Sequence, residues 1–250
     1  MNRHLIAVLI GIGTFSLGLI LAANRYWESS QKVAVSEPVP VVPQSPPALD
    51  TCKENSTSFP GRSKPLDSLK KYKNGYFPVK AFDDGWRGTD GSFDEWYGKH
   101  LRAMGESSLL DIKNGDTEIY RFLWLRTFDH PISVRIERTA YSFRLTSIEL
   151  NGAGGYEPGR KLRTDNVEIF SDQWCHLTSL LDRAKFWSEP TVDPDLPGND
   201  GSQWILEGVN DERYHIVDRW TPQNGGIRDA CIYLLRLSGR DEKSLGNNLY

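Results

Sequence analysis

Three side chains in one short stretch are of the types that acid–base chemistry uses: Glu207, His215 and Asp218. A carboxylate that orients an imidazole turns the ring into a usable general base or acid, and hydrolysis of a bound substrate needs little more than that pair and a water. Spacing constrains the idea. If residues 213–220 form a strand, Tyr214, Ile216, Asp218 and Trp220 share one face and Arg213, His215, Val217 and Arg219 the other, so His215 and Asp218 cannot pair directly. Glu207, on the preceding strand, lies across the hairpin from either set. In the functional arrangement Glu207 orients His215 in a polar pocket. In the plainer one Arg213, His215 and Arg219 form an exposed face and Glu207 pairs with an arginine.

A second group of residues fits binding rather than catalysis. Trp86, Tyr97, Tyr156 and Trp187 fall outside any periodic core pattern, and flat rings beside carboxylates suit a sugar or a peptide. Trp86, Asp90 and Tyr156 are the candidate ligand-binding residues on this reading. Glu95 and His100 stand five apart rather than the four of a metal-binding helix face, and Glu95 has a structural use as a cap. No Gly-x-Ser-x-Gly elbow is present, and the glycine-rich residues 151–156 lack the Gly-Lys-Ser of a phosphate loop, so a turn is expected there. No cofactor, metal or nucleotide is expected.

The three cysteines, Cys52, Cys175 and Cys231, show no Cys-x-x-Cys spacing. In an oxidising compartment one disulfide with one cysteine left over is the simplest arithmetic, and three pairings are possible; Cys175 and Cys231 both fall on apolar faces of predicted helices, so they are either bridged to each other or two separate buried thiols.

These residues must be positioned by a mixed fold. Trp96, His100, Leu101 and Met104 recur at helical spacing over residues 93–104, behind a predicted capping box of Ser92 and Glu95. Residues 118–127, 132–137 and 141–150 read as three strands with short joins, hence an antiparallel meander. A second helix is expected from Ser171 to about Phe186, with Phe170 packing back as a staple. Residues 201–208 and 213–220 read as a hairpin, and a last helix runs from near Ile227 to a stop at Gly239. The expectation is an α+β domain: an antiparallel sheet of about five strands with three packed helices.

The N-terminus has a different character. Residues 5–23 form an uncharged apolar run of 19 residues, about 28 Å long as a helix and close to the thickness of a bilayer core. A transmembrane anchor is the expected reading, and a cleaved signal sequence is the rival. Five prolines within residues 35–47 favour an extended spacer of about 40 Å. The expected organisation is an anchor or signal over residues 1–24, a Pro-rich linker over 25–60 and one globular domain over 61–250. The net charge of -3 resides wholly in residues 51–250, which argues against nucleic acid as a partner.

Trp204-Ile205-Leu206-Glu207-Gly208 followed by Tyr214 to Trp220, together with residues 121–126 and 151–155, resembles a group of uncharacterised bacterial proteins with a membrane-proximal start. The resemblance covers residues 85–240 and implies no catalytic assignment. The expected function is a membrane-tethered interaction or accessory protein of the bacterial envelope, in the inner membrane with its domain outside the cytoplasm. Its expected partners are membrane lipid through residues 5–23 and an envelope protein. An envelope hydrolase using Glu207 and His215, and a glycan- or peptide-binding module, are the alternatives.

Overall fold

The computed structural model describes residue 52 and residues 63–83, 90–112, 117–193, 200–210 and 213–240, all within the compact unit Ala48–Tyr250. In chain order these residues form β1 (Lys64–Pro65), α1 (Ser92–Met104), β2 (Glu118–Arg126), β3 (Ile132–Arg138), β4 (Phe143–Leu150) and β5 (Lys161–Glu168). They continue with α2 (Ser171–Arg183), β6 (Ser202–Asn210), β7 (Arg213–Trp220) and α3 (Gly226–Leu237). The sheet has seven strands in the order β1-β7-β6-β2-β3-β4-β5, every neighbouring pair antiparallel. The meander and the hairpin join along β2, which therefore becomes the central strand.

Central placement explains the composition of β2. All nine of its residues are buried, because both faces of the sheet are covered. Alternation sends Tyr120, Phe122 and Trp124 to one face, where they pack with Trp174, Leu177 and Leu181 of α2 and Ala230, Cys231 and Leu234 of α3. Ile119, Leu123 and Leu125 go to the other face, against Tyr97, Leu101 and Met104 of α1 and the loop aromatics Phe77 and Phe82. One core therefore lies on each side of a single sheet, and burial of both supplies most of the stabilisation.

Several expectations are corrected. The sheet has seven strands rather than about five, because β1 is only two residues long and β5 is exposed or half-buried throughout, so neither carries an apolar alternation. The Ser92–Glu95 capping box does not form: Ser92 is already helical, and the carboxylate of Asp90 accepts from the Ser92 N–H at 2.9 Å instead. Phe170 is 68 % exposed rather than folded back as a staple. The bridge is Cys52–Cys175, not Cys175–Cys231; Cys231 is a buried free thiol in the α2–α3 core. No described helix is long and apolar enough to cross a membrane. The span expected over residues 5–23 lies outside the described residues, as does the linker expected over 25–60 apart from Cys52, which is bonded to Cys175. The reading as a single-pass envelope protein with a lipid partner is corrected accordingly to an α+β domain whose fold by itself discloses no activity.

The Cys52–Cys175 bridge closes a loop with a sequence separation of 123 and restricts the unfolded chain by an amount worth about 3–5 kcal/mol. Cys52→Ser should lower the unfolding free energy by that order, and saturating reductant should lower wild type to the same value. Cys231→Ser should leave the bridge intact in non-reducing peptide mapping.

Candidate functional site

Glu207, His215 and Asp218 do not converge. The β6–β7 register sets Ile216 opposite Glu207 and Gly208 opposite His215, so Glu207 faces α1 and His215 faces the α2–α3 side. His215 packs edge-on against Phe186 with ring centroids 5.2 Å apart, and its Nε2 lies 2.9 Å from the Glu189 carbonyl oxygen. Asp218 shares the α1 face with Glu207 but is bonded elsewhere: it accepts from the Tyr97 hydroxyl at 2.9 Å and from Gln203 Nε2 at 2.6 Å. The sheet itself thus separates the proposed base from the carboxylate that was to orient it.

The binding candidates are likewise dispersed. Trp86 lies outside the described residues. Asp90 lies one residue ahead of Gly91, the N-cap of α1, and the bonds from Ser92 hold its carboxyl below the usual range. Tyr156, 58 % exposed, lies against the exposed Phe128 with centroids 6.1 Å apart. The loop carrying Tyr156 does turn where the glycines predicted it: a Cβ on Gly154 would stand 2.6 Å from the backbone of Arg126, so that close approach requires glycine.

What the structure does assemble on the α1 face is a chain of charges. Arg121 of β2, fully buried, donates from Nε and Nη2 to Glu207 Oε2 at 2.9 and 2.6 Å. The Tyr214 hydroxyl donates to the other oxygen of Glu207 at 2.8 Å. The β2–β3 register places Arg135 directly opposite Arg121, a like-charge juxtaposition that would be repulsive alone. Glu106, just past the end of α1, relieves it by accepting from Arg121 Nη1 at 3.3 Å and from Arg135 Nε at 3.0 Å. Arg135 also pairs with Glu137. Burial pushes the Glu207 carboxyl up against the pull of Arg121 and Tyr214. Two guanidinium N–H groups and a phenol O–H aimed at it nonetheless hold it as a carboxylate. Burial opposes the Arg121 charge too, but Glu207 and Glu106 outweigh that and raise it. Burial, reinforced by the neighbouring Glu207, raises the Tyr214 phenol well above its ordinary value.

This chain surfaces in a polar cleft of about 630 Å³. Its wall is the loop of Lys71, Lys73 and Tyr76, its far side is Arg102 of α1, and its base is the turn of Glu106, Ser107 and Ser108. The base is tied to the sheet, because Arg121 Nη1 donates to the Ser107 carbonyl at 2.7 Å. The loop is tied to the base: the Tyr76 hydroxyl donates to the Glu106 carbonyl at 3.1 Å, and Ser108 Oγ donates to the Tyr76 carbonyl at 2.6 Å. From below, the buried Asp94 accepts the backbone N–H of Phe77 at 2.9 Å and of Tyr76 at 3.3 Å. A Cβ on Gly75 would come within 2.7 Å of Asp94 Oδ2, so glycine is what lets the loop settle on that carboxylate. The carboxylates around the cleft are engaged: Glu106 by two arginines, Asp111 by Lys71 at 2.5 Å, and Glu95 more loosely by Arg102 at 3.8 Å. Lys73 is exposed and makes no ion pair among the described residues.

Sequence reasoning missed Arg121, Glu106 and the cleft cations. One signal was there: an arginine inside Ile119-Tyr120-Arg121-Phe122-Leu123, in a strand read as buried, must have a buried anion. Among the described residues no group of three His, Cys, Asp or Glu is placed to hold a metal ion. His100 is fully buried on α1, and neither ring nitrogen has a partner in hydrogen-bond geometry. Desolvation, then the charge of Lys99, lowers its pKa to about 4; the Gly154 backbone and Glu157 pull only weakly the other way.

Arg121→Met should destabilise the domain by about 3–5 kcal/mol in urea unfolding, since Glu207 is left buried and unpaired, and adding Glu207→Leu should recover much of the loss. For His100 the unfolded ring takes a proton below its ordinary value of 6.5 while the folded ring stays neutral to about 4. Its contribution to stability is therefore complete above pH 6.5 and declines as pH falls towards 4, at roughly 1.4 kcal/mol per pH unit where steepest. His100→Phe should flatten that part of the stability profile.

With the geometry in place, comparison with known proteins returns no family model, no curated protein and no solved structure that matches this chain.

Proposed function

We propose that the domain is a ligand-recognition module whose cleft takes a small polar molecule bearing an anionic group, a carboxylate or a phosphate. The observation that carries this reading is the convergence of Lys71, Lys73 and Arg102, from two separate segments, on one cleft whose carboxylates already have partners. The volume of about 630 Å³ lies in the range of small-molecule sites. The polar lining favours charge-assisted hydrogen bonds over apolar burial. The base under the cleft is preorganised, since Ser107 and Glu106 are both bonded to the buried Arg121, and little ordering cost remains on binding. A catalytic reading lacks its base, because His215 is on the opposite face of the sheet.

Titration with inorganic phosphate and with acetate, followed through the backbone amide resonances of Gly75 and Ser108, should give saturable shifts. Lys71→Ala with Lys73→Ala should weaken binding at least tenfold while leaving the circular dichroism unchanged. Shifts reproduced by sodium chloride at matched ionic strength would overturn the reading.

A further inference from the structure

The two edges of the sheet are treated differently. The β1 edge is two residues long and includes Pro65, which has no backbone N–H to offer. The β5 edge is eight residues long, terminal in the sheet among the described residues, and exposed or half-buried along its whole length. An edge of that length is a template for another strand. A register shift opposite Glu149 and Leu150 leaves Leu162 as an extra residue, so the regular part of the edge runs from Arg163 to Glu168.

The charges on that edge read as a self-complementary pattern. Lys161 and Arg163 precede Asp165 and Glu168, so a second copy running antiparallel meets opposite signs. In an antiparallel pair related by a two-fold axis, residues directly opposite lie on one face of the sheet, so the axis must pass through a residue paired with itself. Centred on Thr164, the pairing sets Arg163 opposite Asp165 twice and Thr164 opposite Thr164, and both kinds of pair are favourable. Lys161, carried to the other face by the extra residue, falls diagonal to Glu168. The adjacent registers are disfavoured: centring on Arg163 opposes two arginines, and centring on Asp165 opposes two aspartates. Arg163 and Asp165 already pair along their own strand at 2.7 Å, and Arg240 stands 3.8 Å from the same Asp165 oxygen, so across the seam the four strand charges alternate in sign with Arg240 backing each aspartate.

We propose that β5 is the seam of a homodimer, two copies joining edge to edge, antiparallel, about Thr164, into a continuous fourteen-stranded sheet (two seven-stranded sheets). The seam is short and charged, so the dimer is weak and salt-sensitive. It does not depend on the ligand cleft.

Sedimentation velocity on the full 250-residue chain should show a concentration-dependent monomer–dimer equilibrium that shifts to monomer with added salt. Arg163→Glu and Asp165→Lys should each abolish dimerisation by opposing like charges. An equimolar mixture of the two variants should restore it as a heterodimer. The two introduced charges, of opposite sign, then face each other across the seam, and the Asp165 kept by the first variant faces the Arg163 kept by the second. Amide exchange in wild type should slow with protein concentration only within residues 163–168, and that measurement decides the matter if Asp165→Lys does not fold. A wild type that stays monomeric, single reversals that still dimerise, a folded mixture that does not associate, or exchange independent of concentration would each overturn the seam.

Discussion

The bond between Arg121 and Glu207 is the constraint around which the rest is arranged. Both groups are fully buried, and a charge taken from water without a partner costs several kcal/mol. The pair is satisfied only when β2 and β6 lie in the one register that sets residue 121 against 207. A slip of one residue would turn Arg121 to the opposite, aromatic face and strand Glu207, so the ion pair contributes register specificity more than net stability. The two apolar clusters are compatible with that register because Phe122, Trp124, Leu206 and Trp204 then share one face.

From this pair the polar organisation spreads outward. Arg135 sits beside Arg121 in the next strand, which obliges an acid to bridge them, and Glu106 is that acid. Glu106 can reach only if α1 ends where it does, and its carbonyl then accepts from Tyr76, which draws in the loop of Lys71 and Lys73. The cleft is thus the solvent end of a structure that begins at the centre of the sheet. Its cations are outside because the interior has been neutralised. Arg102 is exposed and Lys71 half-buried beside an exposed Asp111, so their ion pairs are screened and exchange readily for a ligand anion.

Much of this was legible, and the parts that were not share a cause. The three helices and the five inner strands follow from apolar periodicity, which is strong where an element is buried on at least one face. The alternation of Tyr214 to Trp220 was enough to place His215 and Asp218 on opposite faces. β5 was not legible because an exposed edge strand has no apolar period to mark it. The disulfide pairing was not legible because helical phase shows that Cys175 and Cys231 face a core but not which thiols meet. Cys52, in a segment without periodicity, gave no spatial signal. The site was not legible from histidine spacing, because the residues that mark it are charges inside apolar strands.

A charge in an apolar strand is tolerated only where a partner is fixed by register, so Arg121 and Glu207 mark the strands whose neighbours are decided. Charges on an exposed strand carry no such obligation and are usually read as protection against pairing. In β5, however, the signs are segregated along the strand, and segregation distinguishes a selective edge from a merely guarded one. Lysines alone would repel every copy of the same strand. A basic start and an acidic end repel a parallel copy and the two neighbouring antiparallel registers, yet admit the antiparallel copy centred on Thr164.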